Sequence, residues 1–72
     1  MTMKPVSSSN IKEVGHDPDT NTLGIRFHDG SLFHYPNVTA DEHAAFINAD
    51  SLGSHFHKNI RSKGGTRHGR KD

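Results

Sequence analysis

The chain has 72 residues, with 9 Lys+Arg against 8 Asp+Glu, 7 His, no Cys and no Trp. A chain of this length buries only about 60% of the surface its unfolded form exposes, which excludes a two-domain cleft or a deep cofactor pocket, and the missing cysteines exclude a disulfide framework and Cys-based zinc sites. The charge is unevenly spread: three cations meet seven acids in residues 1–57, a formal −4, whereas Lys58, Arg61, Lys63, Arg67, Arg70 and Lys71 meet only Asp72 in residues 58–72, a formal +5.

Residues 1–5 carry no pattern and are expected to form a flexible N-terminus ahead of one domain over residues 6–62. Met1 to Asn10 lack the apolar middle of a signal peptide. Ile11 to His16 reads as a short strand, in which the three-residue spacing of Ile11 and Val14 calls for a bulge or a late start. Asp17-Pro18-Asp19-Thr20-Asn21 is dense in turn formers. Leu23-Gly-Ile25-Arg-Phe27 then alternates with period two, and Asp29-Gly30 leads into Leu32-Phe33-His34-Tyr35, a hairpin signal.

Two registers fit this hairpin. A two-residue Asp29-Gly30 turn pairs Phe27 with Leu32 and leaves Phe33 and Tyr35 beside Arg26. A type I turn at His28-Asp29 with Gly30 left-handed in a bulge puts Leu23, Ile25 and Phe27 on one face with Ser31, Phe33 and Tyr35. The bulged register is preferred because it gathers five large apolar side chains on one side. Arg26, His28, Leu32 and His34 then look outward.

After Pro36, Thr39-Ala-Asp-Glu42 has capping-box spacing, so a helix is expected from there to about Asn48 with Phe46 and Ile47 inward. Ser51 can cap a second helix in which Leu52, Phe56 and Ile60 recur every four residues, with Lys58, Arg61 and Lys63 at its dipole-favoured C-terminal end. Ser62 to Asp72 hold no large apolar side chain, so residues 63–72 are expected to be a disordered basic tail. The expected fold is α+β: a three-stranded antiparallel sheet followed by two helices packed on one face, with the tail beyond them.

Several runs resemble the KTSC domain, a family named for its place at the C-terminus of some lysyl-tRNA synthetases. They are Ser8-Ser-Asn-Ile11, Val14-Gly-His-Asp-Pro18, the strand Leu23 to Phe27 with His28-Asp-Gly30, Phe33-His34-Tyr35, and Gly53-Ser-His-Phe56 through Asn59-Ile60-Arg61. The family's central motif is usually Tyr-x-Tyr, and Phe33 stands in its first position here. The resemblance implies no catalytic activity and a nucleic-acid role. The whole chain, with its His-rich body and the tail Gly64-Gly-Thr-Arg-His-Gly-Arg-Lys71, also resembles a small lytic-phage transcription regulator. That likeness implies a host RNA polymerase partner, inhibition of initiation and readthrough of terminators.

No reaction chemistry stands out. His55 and His57 point to different faces of a helix, and without Cys or a His-x3-His pair a metal site is not expected. No nucleophile elbow frames a serine, and the tail glycines lack the strand and helix of a phosphate loop. No enzyme activity, cofactor or metal is therefore expected. No apolar run approaches the roughly 20 residues of a membrane span, so a cytosolic protein is expected, which the phage-regulator likeness makes the host bacterial cytoplasm; a monomer is expected.

Two function classes remain. In the first, a protein-binding module docks on the polymerase core through Arg26, His28, Leu32 and His34, with Lys58, Arg61, Lys63, Arg67, Arg70 and Lys71 near nascent RNA. In the second, an RNA or single-stranded nucleic-acid-binding module uses Arg26, Phe33 and Tyr35 as its platform. The acidic body argues against the second as the sole function, because it repels a polyanion.

Overall fold

The computed structural model describes residues 1–70. Its sheet has five antiparallel strands in the order of the sequence: β1 (Met3–Pro5), β2 (Ile11–Asp17), β3 (Thr22–Phe27), β4 (Ser31–Tyr35) and β5 (Thr66–Arg70). The α+β class holds, but the three-stranded sheet does not. Both additional strands come from polar ends of the chain. β1 pairs Met3 with Gly15 and Pro5 with Glu13, and β5 pairs Thr66 with His34 and Arg70 with Ser31. The disordered tail is thus corrected over residues 66–70. An edge strand needs no apolar face of its own when a neighbouring strand supplies the ladder for its amides and carbonyls.

The central hairpin has the bulged register. Leu23 lies opposite Tyr35 and Ile25 opposite Phe33. Gly30 takes φ 93° and donates its amide to the Phe27 carbonyl at 3.0 Å, a left-handed position that suits glycine. β2 has its bulge between Ile11 and Glu13. This brings Ile11, Val14, Leu23, Ile25 and Tyr35 into one buried cluster.

Helix α1 (Ala40–Ile47) begins at the capping box: the Glu42 amide donates to the Thr39 hydroxyl, and the Thr39 amide donates to the Glu42 carboxylate. Phe46 is fully buried, but Ile47 is 44% exposed, contrary to expectation. Consecutive helical residues point about 100° apart, and Phe46 alone fills the inward position of this short helix.

Ser51 caps α2 (Leu52–His55), which widens into a π-helical turn over Phe56–Ile60 and tightens into a 3-10 turn over Arg61–Lys63. A four-residue step overshoots a 3.6-residue turn, and the wider turn takes up the excess. Leu52, Phe56 and Ile60 therefore stay buried together over the sheet with Phe46 and Val38. Among the described residues, no helix is long and apolar enough to cross a membrane.

Candidate functional site

The loop before β2, the β3–β4 turn, strand β4 and the α2 segment converge around a groove of about 550 Å³ on the helix side of the sheet. Phe27, Phe33, Tyr35 and Phe56 line it. Phe56 meets Phe27 and Tyr35 edge-on at centroid distances of 5.7 and 5.3 Å, and Phe33 lies nearly parallel to Tyr35 at 6.3 Å. Tyr35 is buried and Phe33 only half-buried, so Phe33 retains surface toward the groove. Burial pushes the Tyr35 phenol up from its ordinary value, while the positive charge of Arg61 pulls it down.

Polar groups stand at the edges of the groove. Ser9, Asn10, His28 and Asp29 come from the two loops, and His57 and Arg61 from the helical segment. The His28 amide donates to the Asn10 carbonyl at 3.2 Å and its Nε2 lies 2.8 Å from the Ser8 carbonyl, which joins the two loops. The Asp29 carboxylate accepts from the Ser31 amide at 2.8 Å and from the Ser31 hydroxyl. Arg61 Nη1 reaches His57 Nδ1 at 3.5 Å.

Strand alternation separates the expected docking residues. Arg26 pairs with Leu32 and Glu13, and His34 with Gly24, on the sheet face away from the aromatic cluster. Arg26 lies 3.3 Å from the Glu13 carboxylate and donates to the Gly30 carbonyl at 3.1 Å. His28 is not in this group, since it lines the groove. Arg26 also stands on the opposite face from Phe33 and Tyr35, so these three do not make one platform. On the outer face, a Cβ added to Gly15 or Gly24 would meet the sulfur of Met3 or Met1, which shows both thioethers lying over this glycine pair.

The basic residues also divide. Lys63 is tied internally: its ammonium lies 2.9 Å from the Glu42 carboxylate and donates to the Asn37 carbonyl at 2.7 Å. This contact and the Thr39 amide hold Glu42 below the usual carboxylate range. Lys58 and Arg61 are exposed on the helical segment. Arg67 is exposed and pairs with Phe33, so it stands on the groove side of the sheet. Arg70 is in β5 opposite Ser31, and Lys71 falls outside the described residues.

Two histidine pairs stack. His16 and His43 lie 4.9 Å apart between β2 and α1, with His16 Nε2 at 2.6 Å from the Val38 carbonyl. His34 and His68 stack at 3.9 Å between β4 and β5. Among the described residues, no group of three or more His, Cys, Asp or Glu could hold a metal ion.

Burial, then the charges of His16 and Lys4, lowers the His43 pKa below its ordinary 6.5. Burial, then the charges of His68 and the N-terminal amine, lowers that of His34. The unfolded chain accepts protons that the folded one resists. The stability contributed by these groups is therefore whole above about pH 6.5 and is lost as pH falls through the folded values. The melting temperature is expected to drop as pH falls below about 6.5, and the double variant His34→Gln, His43→Gln is expected to flatten that drop. Identical pH profiles for variant and wild type in thermal melts would contradict this assignment.

The KTSC domain profile matches residues 7–63. The chain is 36% identical over 53 residues to a protein of Stutzerimonas stutzeri, covering 74% of this chain and 75% of that one. It is 38% identical over 61 residues to the lysine–tRNA ligase of Nostoc punctiforme, 85% of this chain but 11% of the ligase. A second such ligase, from Trichormus variabilis, gives the same figures. The crystal structure of a KTSC domain protein from Yersinia pestis superposes with a TM-score of 0.89 at 35% identity, covering 94% of this chain and 97% of that one. The paired loops, bulged hairpin and aromatic groove thus accompany a sequence match over most of the chain, and the chain belongs to the KTSC domain family.

Proposed function

We infer that this domain is a non-enzymatic, phage-type transcription regulator that docks as a monomer on the core of bacterial RNA polymerase in the host cytoplasm, inhibiting initiation and promoting terminator readthrough. The observation that carries this reading is the outer sheet face. The buried helical side chains join the cluster on the other face, so the outer face presents the half-buried Arg26, Leu32 and His34 beside a 49% exposed Met1, with Arg26 held by Glu13 and His34 stacked on His68. Such a face, with open strand edges at β1 and β5, suits strand addition or side-chain docking by a protein partner. The likeness to a small part of lysine–tRNA ligases supports an accessory binding role beside an RNA-handling enzyme. Free RNA alone is disfavoured as the whole function because residues 1–57 are formally −4.

Purified bacterial RNA polymerase core is expected to retain the protein in a nuclease-treated pull-down. Arg26→Glu should weaken that retention while leaving the protein folded, with a melting temperature lowered by the lost Gly30 bond and by a second carboxylate opposite Glu13; Arg26→Gln, which adds no like charge, should weaken retention with a smaller thermal effect. In transcription assays the wild type should lower promoter-dependent initiation and raise passage through an intrinsic terminator. Absence of polymerase binding, or equal binding by the variants, would overturn the docking assignment.

A further inference from the structure

We propose that the aromatic groove binds one base of a single-stranded RNA, with the base stacked on Phe33 and an adjoining phosphate held by Arg61. Phe33 and Phe27 are the half-buried rings on the groove wall and meet edge-on at a centroid distance of 5.8 Å, and of the two Phe33 is the one opposite a cation, Arg67, across the sheet. A flat π-face that remains partly open, braced by other rings, is what base stacking requires. Arg61 stands at one side of the groove, and Ser9 and Asn10 at another. The ligand that matches this lining has a flat apolar body, hydrogen-bonding edges and a negative charge. A nucleotide unit within a strand has all three.

Charge placement selects RNA over an apolar peptide side chain. Lys58 lies on the same helical segment as Arg61, and Arg67 stands across from Phe33 on the groove side of the sheet. A strand seated there meets these cations, whereas Asp17 and Asp19 lie at the β2–β3 turn, the opposite end of β3 from the β3–β4 turn that lines the groove, and Glu42 is neutralised by Lys63. The Asp29 carboxylate on the groove lining is occupied by the Ser31 amide and hydroxyl. This assignment rests on the nucleic-acid reading of the basic end and is independent of polymerase docking.

The test uses the full chain and a labelled eight-nucleotide single-stranded RNA, compared by fluorescence anisotropy with an abasic strand of equal length and charge. The abasic strand is expected to bind at least about tenfold more weakly, as loss of one stacked base predicts. Phe33→Leu, which keeps the apolar volume but removes the π-face, should weaken the normal strand by a similar factor while its melting temperature stays close to wild type. Arg61→Glu should weaken both strands and reduce the salt dependence of binding. NMR of the complex should show ring resonances of Phe33 shifted by the bound base. No binding of either strand would overturn the nucleic-acid reading itself. Equal binding of the two strands, or no effect of Phe33→Leu, would leave that reading standing and overturn the base site. Ring shifts produced only by an acidic tryptophan-containing peptide would assign the groove to a protein side chain and overturn the proposal.

Discussion

Phe56→Ala is expected to lower the unfolding free energy by about 3–5 kcal/mol, the range for removing a buried phenylalanine ring. Phe56 joins the helical segment to the sheet: its ring is buried and contacts Phe27 and Tyr35 edge-on. Leu52 and Ile60, its partners along the segment, are buried in the same cluster. At about 0.05–0.15 kcal/mol per residue, a chain of this length commands so little stability that the variant should be largely unfolded or close to its midpoint at room temperature. Urea titration followed by circular dichroism measures the loss. A change below about 1 kcal/mol would show that the surrounding aromatic rings collapse into the vacated space, which close packing resists.

A pair of glycine substitutions is expected to act in opposite directions. A Cβ at Gly65 would fall within the van der Waals surface of the Tyr35 ring, so the strand β5 backbone approach depends on the absence of a side chain. Gly65→Ala must shift either the buried Tyr35 or the start of β5, at a cost of about 1–3 kcal/mol. At Gly53, in α2, the nearest neighbour of an added Cβ is Asn10 Nδ2 at 3.7 Å, an ordinary contact. Gly53→Ala should therefore stabilise the domain by up to about 1 kcal/mol through helix propensity. Thermal melts of the two variants displaced in the same direction would contradict this account.

Features set by local pattern were readable in the sequence. The capping box at Thr39 and the Ser51 cap follow from side chains within three residues of the amides they serve. The bulged hairpin follows from apolar alternation plus a glycine at the left-handed position. The edge strands were not readable, because Met3-Lys-Pro5 and Thr66-Arg-His-Gly-Arg70 carry no apolar alternation and are ordered by the strands beside them. The π-helical turn has no side-chain signature of its own.

The groove was partly visible. The sequence points to Phe33, Tyr35 and Arg61, but the platform of Arg26 with the two rings fails because strand alternation puts Arg26 on the opposite face. Ser9, Asn10 and His57 carry no local signal of a site, since they meet the aromatic residues only through long-range packing. Asn10, Phe33, Tyr35, Gly53, Phe56 and Arg61 all belong to the runs that carry the family resemblance, and all line the groove. That shared membership was the signal available for the site.

The order of the strands has a kinetic consequence. Every strand pairs with its predecessor in the chain, so β1 to β4 can assemble through short turns with little loop-closure entropy. β5 differs, because residues 36–65, including both helical segments, separate it from β4. Its pairing closes the longest loop and must follow or accompany the docking of the helices on the sheet. Folding is therefore polarised toward the hairpins, with the basic edge joining late. Mutations in the β3–β4 turn should slow refolding, whereas mutations in β5 should mainly speed unfolding.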